Sequence, residues 1–351
     1  MTKTMEQFLF VGVLTCLLFA GPSFFPPTDG SFSGAVWAQD EEEEEEEEGD
    51  DDDVGGDDDI FDDEEEEDEE VLASLPIPKA VRVTGKSLQT DAPDNLILTA
   101  TYLPGNRGKK TVPIILLHDF GGSRSDLAVL AKTLQKEGYA VLVPDLRGHG
   151  GSTKIEIGPE KYEELAYKKL DKSFFMDMLQ FDLPALKKFL RKENNKGTLN
   201  IDKLCICGVG AGGMLAAYYA PADWDPMVKR KKANPRMGDV KSFIMISPPK
   251  VCAGFKFQGA LINPNWNMYL SCLILSGGDG SREVDRPRVL EVQIGKRCSK
   301  ELVQKQVFAI QLDDQSAQGI DLVAEEDSEA VTTILEFLAE QKKRDFVWAR
   351  R

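Results

Sequence analysis

The chain has 351 residues, 42% of them hydrophobic, with six cysteines, two histidines and a formal net charge of −18, which is length enough for one large domain or two small ones. Beyond Cys16 the cysteines number five, an odd set with no CxxC pair, and this excludes a complete disulfide framework or a zinc ribbon. No HxH or HExxH spacing occurs, so no metal and no other cofactor is expected.

Phe8–Ala20 is an apolar run of 13 residues, short for a membrane span and suited to the core of a signal peptide. Cleavage after Val36-Trp37-Ala38 gives a signal peptide over 1–38, and Ala20 is a second candidate site. Only Lys3 and the amino terminus supply positive charge ahead of the run. An uncleaved membrane anchor is therefore the alternative to an exported protein, periplasmic or secreted. From Asp40 to Glu70 there are 25 acidic residues and no Lys or Arg. Such a stretch buries no apolar surface and repels itself, so 39–71 reads as a disordered acidic segment. The remainder, 72–351, is net basic. The plain reading of the acidic segment is a solubilising spacer. The sharper one is a counter-charge that folds back on Lys229-Arg230-Lys231-Lys232 or gathers cations weakly. That basic run has no interleaved aromatics, and no nucleic-acid partner is expected from it.

From Leu75 onward short β-branched runs alternate with helical patterns, without internal repeats. Ala80–Val83 and Leu96–Tyr102 read as an antiparallel pair, Thr111–Leu117 as a buried strand and Asp126–Glu137 as a helix. Ala140–Pro144 is the next strand. A long polar connection then leads to an amphipathic helix, Asp177–Arg191, with Pro184 inside it. Strand Leu204–Cys207, with Cys205 and Cys207 packing from alternate positions, precedes helix Ala211–Tyr219. Strands Phe243–Ile246, Leu270–Leu275 and Val307–Gln311 follow, and helix Glu329–Gln341 completes the domain. Strands separated by helices imply an α/β fold: a mostly parallel sheet of about eight strands, helices on both faces. The segment after Ile246 is too short for a large lid.

Gly208-Val209-Gly210-Ala211-Gly212-Gly213 admits two chemistries. As GxGxxG between strand and helix it suggests pyrophosphate on backbone N–H groups. That fingerprint also needs a second strand ending in an acidic residue about 20 residues on. Here that distance falls in "PADWDPMVKRKKANPR", which has no strand pattern, and most of the sheet would already precede the supposed first strand. Dinucleotide binding is set aside.

The surroundings favour the other chemistry. His118-Asp119-Phe120-Gly121 follows one strand, and Asp145-Leu146-Arg147-Gly148-His149-Gly150-Gly151-Ser152 follows the next. In that order these motifs resemble the α/β-hydrolase superfamily, especially its dienelactone-hydrolase-like and serine-aminopeptidase-like branches, over nearly all of 80–341. The resemblance places "GVGAGGMLA" on the nucleophile elbow G-x-S-x-G. Gly208 and Gly212 keep the flanking small residues, and the nucleophile position is Gly210. Glycine relaxes the strained backbone there and removes the nucleophile. The base position, a histidine before the final helix, falls on Gln318, which cannot accept and return a proton near neutral pH. The acid position falls near Asp279, although a strict count from Gly277 reaches Gly280. The oxyanion-hole N–H groups are implied at Phe120 and Ala211. Asp119 departs from the family's glycine and sets a negative charge beside the hole. His118 and His149 read as structural.

With nucleophile and base positions both substituted, the reading is an exported pseudo-hydrolase. It would bind a small molecule or a protein partner at the strand C-termini without catalysis, because fold does not fix function. Two alternatives stand beside it. One is an active carboxylic-ester or peptide hydrolase with displaced groups, drawn from Ser247, Ser276, Cys207, Lys250 and Asp279. The other is an interaction protein working through its polyanionic segment.

Overall fold

Lys79–Lys86 (β1) pairs antiparallel with Pro93–Leu103 (β2), and β2 alternates buried and half-buried residues as a strand with one covered face does. Pro113–Leu117 (β3) and Ala140–Pro144 (β4) are consecutive apolar runs, buried at every position, the pattern of parallel strands covered on both sides. Between them lies Ala128–Lys136 (α1), entered through a 3₁₀ turn capped reciprocally by Ser123 and Asp126. This computed structural model describes residues 75–86, 93–165, 171–224, 238–267, 270–278, 286–312 and 316–351. The chain divides into Met1–Asp68 and Glu69–Arg351, and every described residue belongs to the second unit. The signal-peptide and acidic-segment readings over 1–71, the basic run 229–232 and Asp279 lie outside the described residues.

The connection after β4, read from sequence as merely polar, contains a hairpin, Lys154–Gly158 (β5) and Lys161–Glu164 (β6). The helix read as Asp177–Arg191 is longer and composite. Lys172–Asp177 (α2) passes through a π-helical turn, Met178–Asp182, into Leu183–Asn195 (α3), with Pro184 in the first turn of α3, where its missing N–H is harmless. The turn presents Asp182 to Arg147 in the loop after β4, at 2.6 Å between Oδ1 and Nη2, and Asp94 pairs with the same guanidinium.

Leu204–Val209 (β7) leads into Ala211–Ala222 (α4), followed by Val240–Ile246 (β8) and the short helix Phe257–Ala260 (α5). Ser271–Gly277 (β9), Pro287–Gly295 (α6), Lys300–Gln306 (α7), Val307–Leu312 (β10) and Glu329–Lys342 (α8) complete the order. Among the described residues ten strands form one sheet in the order β10-β9-β8-β7-β3-β4-β2-β5-β6, with β1 on β2. The pairs β3·β4, β3·β7, β7·β8, β8·β9 and β9·β10 are parallel. Alternate residues feed opposite layers. Ile115, Leu117 and Ile206 pack with α3 and α4 through Leu186, Leu190 and Met214. Ile114, Leu116, Cys205 and Cys207 pack with α1 and α8 through Leu130, Leu134, Ile334 and Leu338. Fully burying each such aliphatic side chain contributes roughly 1.5–3 kcal/mol. The ends of β3, β7 and β8 therefore meet on a rigid floor.

Candidate functional site

Gly208 lets helix α4 return against β7: a Cβ there would overlap the backbone of Gly212, and a Cβ on Gly212 would stand 2.5 Å from the Leu117 carbonyl oxygen. Between them Gly210 caps α4 at φ 53°, ψ −117°, a conformation that disfavours a side chain, with its N–H donating to Ile246 O at 2.9 Å. The turn has the shape that the resemblance implied.

The place where a side chain at 210 would project is filled from the neighbouring strand. A Cβ on Gly210 would overlap all three carboxylate atoms of Asp119. Oδ1 of Asp119 accepts two hydrogen bonds at 2.7 Å, one from the N–H of Phe120 and one from the N–H of Ala211. These are the two N–H groups assigned to an oxyanion hole. They converge on one atom, Asp119 Oδ1, which belongs to the protein. Charge-assisted bonds from backbone N–H to a carboxylate are roughly twice as strong as neutral ones, so the pair holds this carboxylate firmly.

Both histidines are occupied in the turns around it. Nε2 of His118 accepts from Leu146 N–H at 2.9 Å and Nδ1–H donates to Asp119 O at 2.7 Å. Nε2 of His149 accepts from Gly121 N–H at 3.0 Å and Nδ1–H donates to Arg147 O at 2.9 Å. Burial lowers the pKa of each below its ordinary value, which matches two neutral rings with fixed tautomers.

Gln318 lies after β10, before the last helix. Its partner is Ser247, at the end of β8. Ser247 Oγ–H donates to Gln318 Oε1 at 2.8 Å, and Gly319 N–H donates to Ser247 Oγ at 2.8 Å. Ser247 has a positive φ of 47°, a strained conformation for a residue with a side chain. Nε2 of Gln318 is buried with no partner among the described residues, and an unpaired buried donor costs about 1–3 kcal/mol. The sequence carried no signal for the Ser247–Gln318 pair, since the acid position was sought one strand later, at Asp279. Asp119 did carry one: an acidic residue where the resemblance has glycine.

These groups line a cavity of about 310 Å³, bounded by His118, Asp119, Gly122, Asp126, Ser247, Gln318, Gly319 and Ile320. Ser276 and Cys207 are buried within β9 and β7 and do not line it. Burial pushes the Cys207 thiol well up, and the Cys252 thiol up to about 12, so both are inert as nucleophiles at neutral pH. Lys250 is absent from the lining. Among the described residues no group of three or more His, Cys, Asp or Glu comes together to hold a metal, and no helix is long and apolar enough to cross a membrane.

A family model described as the alpha/beta hydrolase fold matches residues 112–231, the stretch from β3 through α4. No curated protein matches the sequence. Among solved structures, an esterase of Pyrococcus furiosus superposes with a TM-score of 0.52 at 15% identity, covering 76% of this chain and 91% of that one. An esterase study from Rhizomucor miehei gives 0.49 at 13% identity, covering 76% and 85%. Thermogutta terrifontis esterase 2 phosphorylated by paraoxon gives 0.48 at 13%, covering 74% and 94%. The first of these, at its low identity, speaks for the fold alone. The motif order, the strand order and the family match over 112–231 agree on the α/β-hydrolase fold for this chain.

Proposed function

We propose that this protein is a non-catalytic member of its superfamily, a binding protein built on a disarmed hydrolase site. One observation carries the reading: the Asp119 carboxylate takes both backbone donors that an incoming carbonyl oxygen would need. Hydrolysis of an ester or amide builds negative charge on that oxygen, and preorganised donors stabilise it only where they are free. Gly210 supplies no nucleophile and Gln318 no base. Removing either group alone from such a triad lowers turnover by orders of magnitude, and the losses are not independent.

The displaced-catalyst alternative fares worse. Ser247 is the hydroxyl in the cavity lining, but its proton goes to an amide oxygen, and both histidines have spent Nε2 on backbone N–H groups. Export behind Phe8–Ala20 and a spacer role for 39–71 belong to the same proposal, supported by composition. The test is hydrolysis of short-chain activated esters by the purified full chain. We expect no turnover above an unrelated protein; turnover abolished by Ser247→Ala would replace this reading with the displaced catalyst.

A further inference from the structure

The cavity's charge is one-sided. Among the described residues, Asp119 and Asp126 are the acidic members of its lining, and no Lys or Arg lines it. His118 is neutral: its Nε2 accepts a backbone N–H, and burial lowers its affinity for a proton. Asp119 Oδ1 is engaged by two N–H groups, while none of the described residues donates to Oδ2. Asp126 accepts from Ser123 through both oxygens, which leaves lone pairs on each. The same lining holds one donor in want of an acceptor, the buried Nε2 of Gln318. With Ser247 satisfied, the unmet demands among the lining side chains are positive charge and N–H donors at the carboxylates and an acceptor for Gln318 Nε2. The volume of about 310 Å³ is at the small end of ligand pockets.

We propose that this cavity takes a small organic ammonium ion that carries a neutral oxygen acceptor close to its nitrogen, of the amino-alcohol or amino-amide class. The ammonium donates to Asp119 and faces Asp126, and the oxygen accepts from Gln318. A carboxylate ligand would meet two like charges, and an ester carbonyl would find its donors taken. The inference rests on the non-catalytic binding reading above and gives it a ligand class.

The probes are ethanolamine and glycinamide, with ethylene glycol and glycolate as neutral and anionic controls, titrated calorimetrically into the full chain. Salt near 0.15 M screens diffuse attraction to the acidic segment, with a Debye length of about 8 Å. Asp119→Asn keeps an acceptor for the two backbone N–H groups and removes the charge, and it leaves the acidic segment untouched. We expect both ammonium probes to bind and both controls to fail. We expect Asp119→Asn to weaken binding at least about tenfold, as losing a charged hydrogen-bond partner does. Gln318→Leu and Asp126→Asn are independent variants with the same expected direction, and a thermal melt shows that each is folded. No saturable binding of either probe at millimolar concentration overturns the proposal, as does glycolate binding as well as ethanolamine, or affinity unchanged in folded Asp119→Asn. Ester turnover measured on the same preparation reports separately. Turnover would sink the non-catalytic reading, whereas silence without ammonium binding would sink only the ligand class.

Discussion

Asp119 and Gly210 form a linked pair. A glycine at 210 relaxes a positive φ, and this much follows from sequence once the elbow is recognised. What the sequence did not reveal is that the missing side chain also makes room for another one. Asp119 fills it, so that the glycine at one strand end and the acidic residue at the next are two halves of one arrangement. The histidines give a prediction at the same level. His118 and His149 are buried, and each folded-state pKa lies below the ordinary 6.5. The unfolded chain then takes up protons that the folded chain refuses. Their contribution to stability is complete above about pH 6.5 and is lost as pH falls through the depressed folded values, by up to about 1.4 kcal/mol per pH unit for each ring. Urea unfolding between about pH 7.5 and 5 checks this. His118→Gln should flatten the acid side of the curve, and an unchanged slope would contradict the neutral assignment.

Strands and helices set how tightly the site is built. Helix α4 approaches β7 so closely that Gly208 has no room for a methyl group, its Cβ position being taken by the Gly212 backbone. Overpacking of this kind costs about 1–3 kcal/mol, and backbone is slower to yield than side chain. Gly208→Ala should lower unfolding free energy by at least about 2 kcal/mol. Gly295→Ala, at the end of α6 with nothing within 4 Å, should stay within about 0.5 kcal/mol. Equal effects would mean that the strand-to-helix contact is not limiting. The elements legible in the sequence were those with a strong hydrophobic period. The central strands are buried throughout, and α1 and α8 keep one apolar face. The β5–β6 hairpin went unread because it buries little: β6 is exposed along its length, Ile157 is 60% exposed, and Ile155 alone of its large apolar side chains packs against the core. The π-helical turn shifted the start of the long helix, since it breaks the 3.6-residue period just before Pro184.

Across the whole of the described domain, the fold was readable because motif order fixes which loops share an edge. Phe120, Ala211 and Gln318 were named from sequence and all lie at the strand C-termini. Ser247 was named only as one of several strand-end candidates, and its pairing with Gln318 stayed hidden, because a serine at a strand end carries no periodic or motif signal. Closure at the opposite margin of the sheet was equally invisible. The last residues fold back as a strap: Asn200 Nδ2–H donates to Phe346 O at 2.8 Å, Trp348 Nε1–H to Leu199 O at 3.1 Å, and the Arg351 guanidinium pairs with buried Asp202. Breaking a buried ion pair from one side costs about 3–5 kcal/mol, because the remaining charge is stranded. Arg351→Ala should destabilise the domain by that order, and Asp202→Asn added to it should recover part of the loss. A surface-like effect below about 0.5 kcal/mol would contradict the strap's role.

The most direct measurement compares ester hydrolysis by three chains: the natural protein, Gly210→Ser/Gln318→His, and the same double mutant with Asp119→Gly. If Asp119 has taken the oxyanion hole, restoring nucleophile and base leaves the double mutant close to silent. Removing the carboxylate should then raise turnover by about 10²–10³, the range lost when one oxyanion donor is removed. A double mutant as active as the triple would mean that the carboxylate yields the hole once a side chain stands at 210, and that Asp119 does not by itself disarm the site.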